Sequence, residues 1–497
     1  MINNILSLTI WLPILFGILV LFFENNECLA RITAISGALL GLACSVFIFF
    51  SFNSSLSGLQ FEENYSWITS FNINYHLGVD GISMPFLILN NFITVLVILA
   101  GWKVINYKVA LYNSMFLIMT GLMSGVFASV DAILFYVFFE AMLIPMYLII
   151  GVWGSTNKVY AAIKFFLYTL LGSLLMLIAL IYLYNASSYS FNIFDYYHTQ
   201  LTMYAQILLF IAFFFAFAVK VPMWPVHTWL PDAHPEAPTG GSIVLAAITL
   251  KIGGYGFLRF VLPIVPDASK FLAHYMIILS LIAIVYIGFV AIVQKDMKKL
   301  VAYSSISHMG FVTLGTFLFL NNSLSAWGLQ GAIVQMISHG FISAAMFMCI
   351  GVMYDRIHSR NIADYGGVVN KMPIFAAFFM LFSMANAGLP GTSGFVGEFM
   401  IIMATVKTNL IYAIVAATAM ILGAAFSLWM YKRVIFGEIK NNHIAQMKDV
   451  NYLEFLVLSL LAISVIGMGL YPQIFVAKMQ TGVHDLIMQV VNKKLGV

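Results

Sequence analysis

Fourteen apolar runs, most of them close to the length of a membrane-crossing helix, follow one another along this chain with mainly short loops between them. A helix needs about 20 apolar residues to cross the hydrocarbon of a bilayer. Inside that layer only a helix or a closed barrel satisfies its own backbone polar groups. The runs cover 5–23, 32–50, 81–101, 113–130, 132–152, 161–184, 203–221, 239–263, 272–294, 300–320, 329–353, 374–405, 410–431 and 452–472. The expected fold class is therefore an all-α membrane protein of about 14 transmembrane helices, a single integral membrane domain over 1–497. Only 8% of the residues are charged, against about 25% in soluble domains, which excludes a globular enzyme held by an anchor. The first run, MINNILSLTIWLPILFGILVLFF, lacks the basic start and small-residue cleavage site of a signal peptide and reads as a membrane helix.

Lysine and arginine sort to one side of this map. Loops on that side carry Arg31, Lys103, Lys108, Lys158, Lys295, Lys298, Lys299, Arg356, Arg360, Lys371, Lys432, Arg433, Lys440 and Lys448, whereas 51–80, 185–202 and 321–328 carry none. The positive-inside rule then puts both termini outside. The tail 473–497 has weak helical periodicity and reads as an amphipathic helix on the outer surface.

Two runs are broken. The seventh leads into VPMWPVHTWLPDAHPEAPTGG and the twelfth contains ANAGLPGTSGFVGEF. Proline removes a backbone donor and clashes with the preceding turn, and the carbonyls it frees are tolerated in a membrane only where protein or water satisfies them. Interrupted segments at corresponding positions of two halves point to transporter repeats. The breaks lie five helices apart, which predicts two five-helix repeats, runs 4–8 (113–263) and 9–13 (272–431). Helices 1–3 (1–112) precede them, and a last helix and tail (452–497) follow. An odd number of helices per repeat makes the two inverted.

Six ionisable residues stand out within these runs: Glu140, Lys220, Lys251, His308, His339 and Glu398. A charge at the bilayer centre costs roughly 2.5–3.5 kcal/mol on insertion scales, so they need a use, and proton transfer is the obvious one. Glu140 stands alone in FYVFFEAMLIPMYLIIG, too central to be read as a helix-end carboxylate reaching for water. Lys220 could snorkel to the inner surface, but the proline break after it favours a buried site. Lys251 is deep in VLAAITLKIGGYGFLRF, where Gly253, Gly254 and Gly256 allow close helix approach. A lysine that passes a proton must release it near neutral pH, about three units below its usual ~10.4 and worth about 4 kcal/mol, which desolvation favours. A Glu140–Lys220 pair that forms and separates would switch that release. His308 and His339 titrate near neutral pH without help and suit a relay; the alternative is a polar residue bridging helices. Ser304, Ser305, Ser307 and Thr313 around His308 are candidates to hold water. Glu398 matches Lys220 by position in the repeat. Lys407, nearer the outer end, reads as a snorkelling residue.

Other chemistries find little footing. Cys28, Cys44 and Cys349 have neither metal-ligand spacing nor a disulfide pattern, and clusters of iron and sulfur need grouped thiolates. Neither dinucleotide nor Walker motifs occur, and no basic, aromatic-laced stripe suggests nucleic acid. His227, Asp232, His234 and Glu236 sit among prolines that spoil a regular ligand face, so HTWLPDAHPEAPT reads as an inner-side proton passage rather than a metal site. GTSGFVG reads as a helix break, not a phosphate loop.

These stretches together resemble the antiporter-like subunits of respiratory complex I. KVPMWPVHTWLPDAHPEAPTGGSIVLAAITLKIGGYGFLRF is similar to that family's broken seventh helix and its eighth. LVAYSSISHMG, HGFISAAMFM and NAGLPGTSGFVGEF are similar to its later signatures, and the likeness spans roughly 75–435. The resemblance implies a proton-translocating membrane subunit of NADH:quinone oxidoreductase. Glu140 and Lys220 would be the paired switch, Lys251 the central relay, His308 and His339 the onward relay, and Glu398 the exit-side site. Most members carry lysine in the twelfth helix. Glu398, and the lack of a long lateral C-terminal helix, resemble the M branch, chain 4 in mitochondrial naming. The resemblance further implies no cofactor or metal in this chain, with FMN, iron–sulfur clusters and quinone in partner subunits. Neighbours would be other membrane subunits, including further antiporter-like ones, in the bacterial inner (cytoplasmic) membrane. Three rivals use the same residues: an Mrp-type cation/proton antiporter subunit, a membrane subunit of a proton-pumping hydrogenase, and a non-pumping subunit braced by its buried charges. Glu398 disfavours the first, partner identity decides the second, and the number and spread of the charges disfavour the third.

Overall fold

The computed structural model of the chain describes residues 4–320, 323–439 and 442–491. Lys440, loop residues 321–322 and the tail beyond residue 491 lie outside the described residues. Each of the fourteen apolar runs is helical. Among the described residues eleven helices are long and apolar enough to cross a membrane, and Ile5–Leu21 and Pro373–Asn386 are apolar but shorter. Thr239–Ile264 and Ala326–Ile357 are buried over their apolar membrane-length stretches and form the centre, whereas Lys158–Ala186 and Leu410–Ile435 turn much of their apolar surface outward.

Three runs depart from single straight helices, each for a local reason. The fifth is two helices, Ala132–Ala141 and Leu143–Trp153, hinged at Met142. Pro145 has no N–H to give the carbonyl of Ala141, so the ladder opens there. The twelfth is Pro373–Asn386 and Ser393–Thr408, and Gly388 and Gly391 between them adopt positive φ, which glycine reaches without a Cβ clash. The eighth, expected as a regular helix, widens into π turns at Leu245–Thr249 and Phe257–Val261, on either side of Leu250–Gly256. π turns of this kind recur at functional sites.

The loop 51–80 is not structureless. Gln60–Ile68 pairs antiparallel with Ile73–Val79, so the all-α fold carries this one hairpin and the small pair Phe319–Leu320/Ser323–Leu324 among its described residues. The hairpin has a structural task. Glu63 turns inward, and its carboxylate accepts the backbone N–H of Leu6 (2.8 Å) and of Ser7 (3.2 Å). Those donors have no intrahelical partner at the start of Ile5–Leu21, and an anion there is favoured.

The tail forms a helix, Gln473–Val491, but it does not lie loose on a surface. Met479, Val483, Leu486 and Val490 form one stripe at helical spacing and are buried. That stripe packs on Ala326–Ile357 and Ser323–Leu324, so protein covers the apolar face expected to meet lipid.

Candidate functional site

The site has two parts. The first surrounds the break after Lys220, the last residue of Met203–Lys220. Pro222 cannot donate to the carbonyl of Ala218, and Met223 N takes that place at 2.7 Å. The Val219 carbonyl receives the indole N–H of Trp229 at 2.8 Å. Both carbonyls at the break are thus satisfied within the protein, as a membrane interior demands. The Lys220 side chain is buried, and its Nζ has no hydrogen-bond partner. It faces the rings of Phe139 (5.1 Å to the centroid) and Phe165 (5.4 Å), a geometry in which ring quadrupoles attract a cation.

Glu140 follows Phe139 directly, at the hinge of the fifth run. Its Oε1 is buried and also lacks a hydrogen-bond partner. Glu140 and Lys220 are therefore close enough to interact through their charges but are not paired. The expected pair is thus present as two members that do not bond each other.

The second part is a run of direct contacts. Lys251 is fully buried, and its Nζ donates to the Ala246 carbonyl and to His339 Nδ1, the latter at 2.7 Å. Ala246 lies in the first π turn, where the widened ladder leaves carbonyls for side chains. The rings of His339 and His308 lie 5.8 Å apart, centroid to centroid. His308 Nδ1 donates to Glu398 Oε1 at 2.7 Å, and Gln335 Nε2 donates to the same oxygen at 3.1 Å. The Nε2 atoms of both histidines are buried without partners. A small cavity reaches His308, Gln335, His339 and Glu398. Four of the six singled-out residues thus make one chain of proton-bearing groups across three helices and the second half of the twelfth run. The glycines after Lys251 keep the two parts close: a Cβ on Gly253 would lie 2.7 Å from both the Phe217 carbonyl oxygen and the Val221 nitrogen.

Several expectations change. Ser304 and Ser305 hydroxyls donate to the Val301 carbonyl, Ser307 to the Ile284 carbonyl, and Thr313 pairs with Ser280, so none is aimed at His308. The residues of HTWLPDAHPEAPT scatter. Asp232 pairs with Lys164 at 2.7 Å, and Glu236 accepts from Ser155 Oγ at 2.6 Å and Asn157 N at 2.8 Å. His234 stacks on Phe347 at 4.5 Å, with both ring nitrogens unpartnered. No group of three His, Cys, Asp or Glu that could hold a metal converges among the described residues.

Sequence reasoning missed four participants. Gln335 lies four residues before His339, and that spacing could have found it. Lys298 looked like one more loop cation beside Lys299, but it is buried and donates to the Ala237 carbonyl at 2.7 Å. It lines a cavity shared with Glu236, Asp355, Arg360 and Glu454 on the lysine- and arginine-rich side. Arg259 and Asp80 form a buried ion pair at 2.7 Å, with no local signal that they meet.

Known proteins are similar to the chain over nearly its whole length. The family described as NADH:quinone oxidoreductase/Mrp antiporter, TM, matches residues 129–427, and that described as NADH-ubiquinone oxidoreductase chain 4, amino terminus, matches 7–128. NADH-quinone oxidoreductase subunit M of Rhodobacter capsulatus is 45% identical, covering 95% of this chain and 94% of that one. The Marchantia polymorpha NADH-ubiquinone oxidoreductase chain 4 is also 45% identical, covering 97% of each. Among solved structures, a chain of respiratory complex I from Thermus thermophilus with bound NADH aligns with a TM-score of 0.87 at 28% identity, covering 97% of this chain and 99% of that one. A chain of the Mrp complex from a Dietzia species aligns at 0.85 with 20% identity over the full length of both, a likeness of fold alone.

Proposed function

The chain belongs to the NADH:quinone oxidoreductase/Mrp antiporter family, and from that membership we propose that Glu140, Lys220, Lys251, His339, His308 and Glu398 form its proton path. The chain is a proton-translocating membrane subunit of an NADH:quinone oxidoreductase. The observation that carries the path is the contact run Lys251–His339–His308–Glu398. Every member can hold or release a proton, and each is buried from competing water.

Protons enter through the cavity lined by Lys298 and Glu236 and pass inward to Lys251. Lys251 gives its proton to His339 Nδ1. The small cavity is where the proton crosses to His308, and the hydrogen bond to Glu398 draws it on. Lys220 sets the timing. Held between Phe139 and Phe165 it is a cation without a counter-ion; swung onto Glu140 it is locked in an ion pair. Movement between these positions changes the field at Lys251 and couples this chain to events elsewhere.

All fourteen helices cross the membrane, runs 4–8 and 9–13 are inverted repeats, and both termini lie outside the bacterial inner membrane, as the loop charges favour. Electrons travel through FMN and iron–sulfur clusters to quinone in partner subunits. Further antiporter-like subunits adjoin this one. The test is NADH-driven proton uptake by vesicles carrying assembled Lys220→Ala complex. Pumping should be abolished or sharply reduced, and wild-type proton stoichiometry would sink the proposal.

A further inference from the structure

The eighth run does not end its polar groups at Lys251. Tyr255 and Arg259 follow at four-residue steps, and Arg259 Nε donates to the Tyr255 hydroxyl at 3.2 Å. By helical rise Arg259 lies about 12 Å beyond Lys251, towards the face opposite the lysine- and arginine-rich loops. The second π turn contains Arg259, and its carbonyl accepts the Tyr197 hydroxyl at 2.8 Å. The guanidinium meets Asp80 at 2.7 Å, and Asp80 Oδ1 also accepts the backbone N–H groups of Ile82 and Ser83, each at 3.0 Å.

This buried pair has a cover. A narrow cavity touches Asp80, Arg259, Gly482, Asp485 and Leu486, so the C-terminal helix roofs it. The approach is close: a Cβ on Gly482 would lie 3.3 Å from Gly81 Cα, and one on Gly81 would lie 2.5 Å from the Lys478 carbonyl oxygen. Asp485 pins the helix by accepting Ser57 Oγ at 2.8 Å, and Thr481 donates to the Ser54 carbonyl.

We infer that the Arg259–Asp80 pair under Gln473–Val491 is a proton-inert plug that separates Lys251 from the outer face. The inference rests on the reading of Lys251 as a relay. Its chemistry is the reverse of the relay's. Guanidinium stays protonated throughout the working range and cannot pass a proton on. Burial pushes the Asp80 carboxyl up, but the Arg259 guanidinium and the Ser83 and Ile82 amides outweigh it and hold the group below its ordinary value. Neither partner exchanges protons near neutral pH, so a polar stripe leading from the outer face ends in groups that do not conduct.

Removing Arg259 alone should turn the plug into a relay, because the buried Asp80 then takes up protons readily. The assay is passive proton flux, driven by a potassium diffusion potential without NADH, into vesicles holding the assembled complex. Arg259→Gln should raise the flux about tenfold, the change in protonation that one unit of carboxyl shift brings. The double variant Arg259→Gln/Asp80→Asn, in which neither member of the pair can titrate, should stay as tight as wild type. Adding Lys251→Ala to Arg259→Gln should abolish the leak. Should Arg259→Gln fail to assemble, Arg259→His puts a group that titrates near neutral pH in the same place and should leak likewise. A tight single variant, or a double variant that leaks as much as the single, would overturn the plug. So would a leak that survives Lys251→Ala. NADH-driven pumping by wild-type complex in the same vesicles tests the relay reading separately.

Discussion

Replacing Glu398 by glutamine probes the far end of the contact run with almost no change in shape. The carboxylate is buried and takes two donors on one oxygen, His308 Nδ1 at 2.7 Å and Gln335 Nε2 at 3.1 Å. A hydrogen bond to a charged group contributes about 1.5–3 kcal/mol, and at 1.36 kcal/mol per tenfold its loss slows the proton step at this contact by roughly ten- to a hundredfold. The amide can still accept one of the two bonds, so the helices stay in place. It cannot receive the proton. The expected outcome is assembled complex whose proton pumping falls by roughly ten- to a hundredfold. The readout is NADH-driven acidification of inverted vesicles, normalised to electron transfer from NADH to an artificial acceptor. His308→Ala combined with Glu398→Gln should fall little further than either single change, because contacting residues in one step are not additive. Wild-type rate and proton-to-electron ratio in assembled Glu398→Gln complex would refute the role assigned to the His308–Glu398 contact.

Glu398→Lys should retain partial pumping in the same vesicle assay. A lysine there can donate to His308 Nδ1 and to Gln335 Oε1, which is buried and unpartnered, as Lys251 donates to His339; complete loss with normal assembly would count against positional equivalence with Lys220. Gly253→Ala, which in an exposed helix gains about 1 kcal/mol, should instead destabilise by about 1–3 kcal/mol. The atoms in its way are backbone at 2.7 Å, and the melting temperature and yield of purified complex report it. Asp80 gives a pH signature: its carboxyl is held below the unfolded value of about 3.9, so the pair's contribution is complete above that pH and is lost as pH falls through the lowered native value. Asp80→Asn should therefore flatten the acid side of the stability profile below about pH 4, and an unchanged acid limb in thermal melts would contradict the pairing.

Legibility followed the range of the forces involved. Glu140, Lys220, Lys251, His308, His339 and Glu398 stood out because each is a costly group inside an apolar run, which a window of about twenty residues reveals. The break at Lys220 was visible because proline acts on its own turn. The hinge at Met142 followed from Pro145 by the same rule, although the run was read as one helix. The hairpin at 60–79 was hidden because polar strands carry no membrane signal, and its role depends on Glu63 reaching residues 56 and 57 positions away. Gln335 was findable from its spacing to His339, whereas Lys298 was masked by its neighbour Lys299.

The sequence alone determined that this chain lies in a membrane as helices, where two of them break, and which ionisable side chains lie inside them. Hydropathy and proline chemistry act locally, and the bilayer sets a minimum apolar length of about 20 residues for a crossing helix. Only the tertiary structure decided who meets whom. Lys251 finds His339 across 88 positions and His308 finds Glu398 across 90, while Glu140 and Lys220 stand unpaired and Arg259 closes on Asp80. Those outcomes depend on helix packing and rotation, on π turns that re-aim Lys251, and on glycines that let backbones touch. Each is a property of several helices together, so no single stretch of sequence carries it.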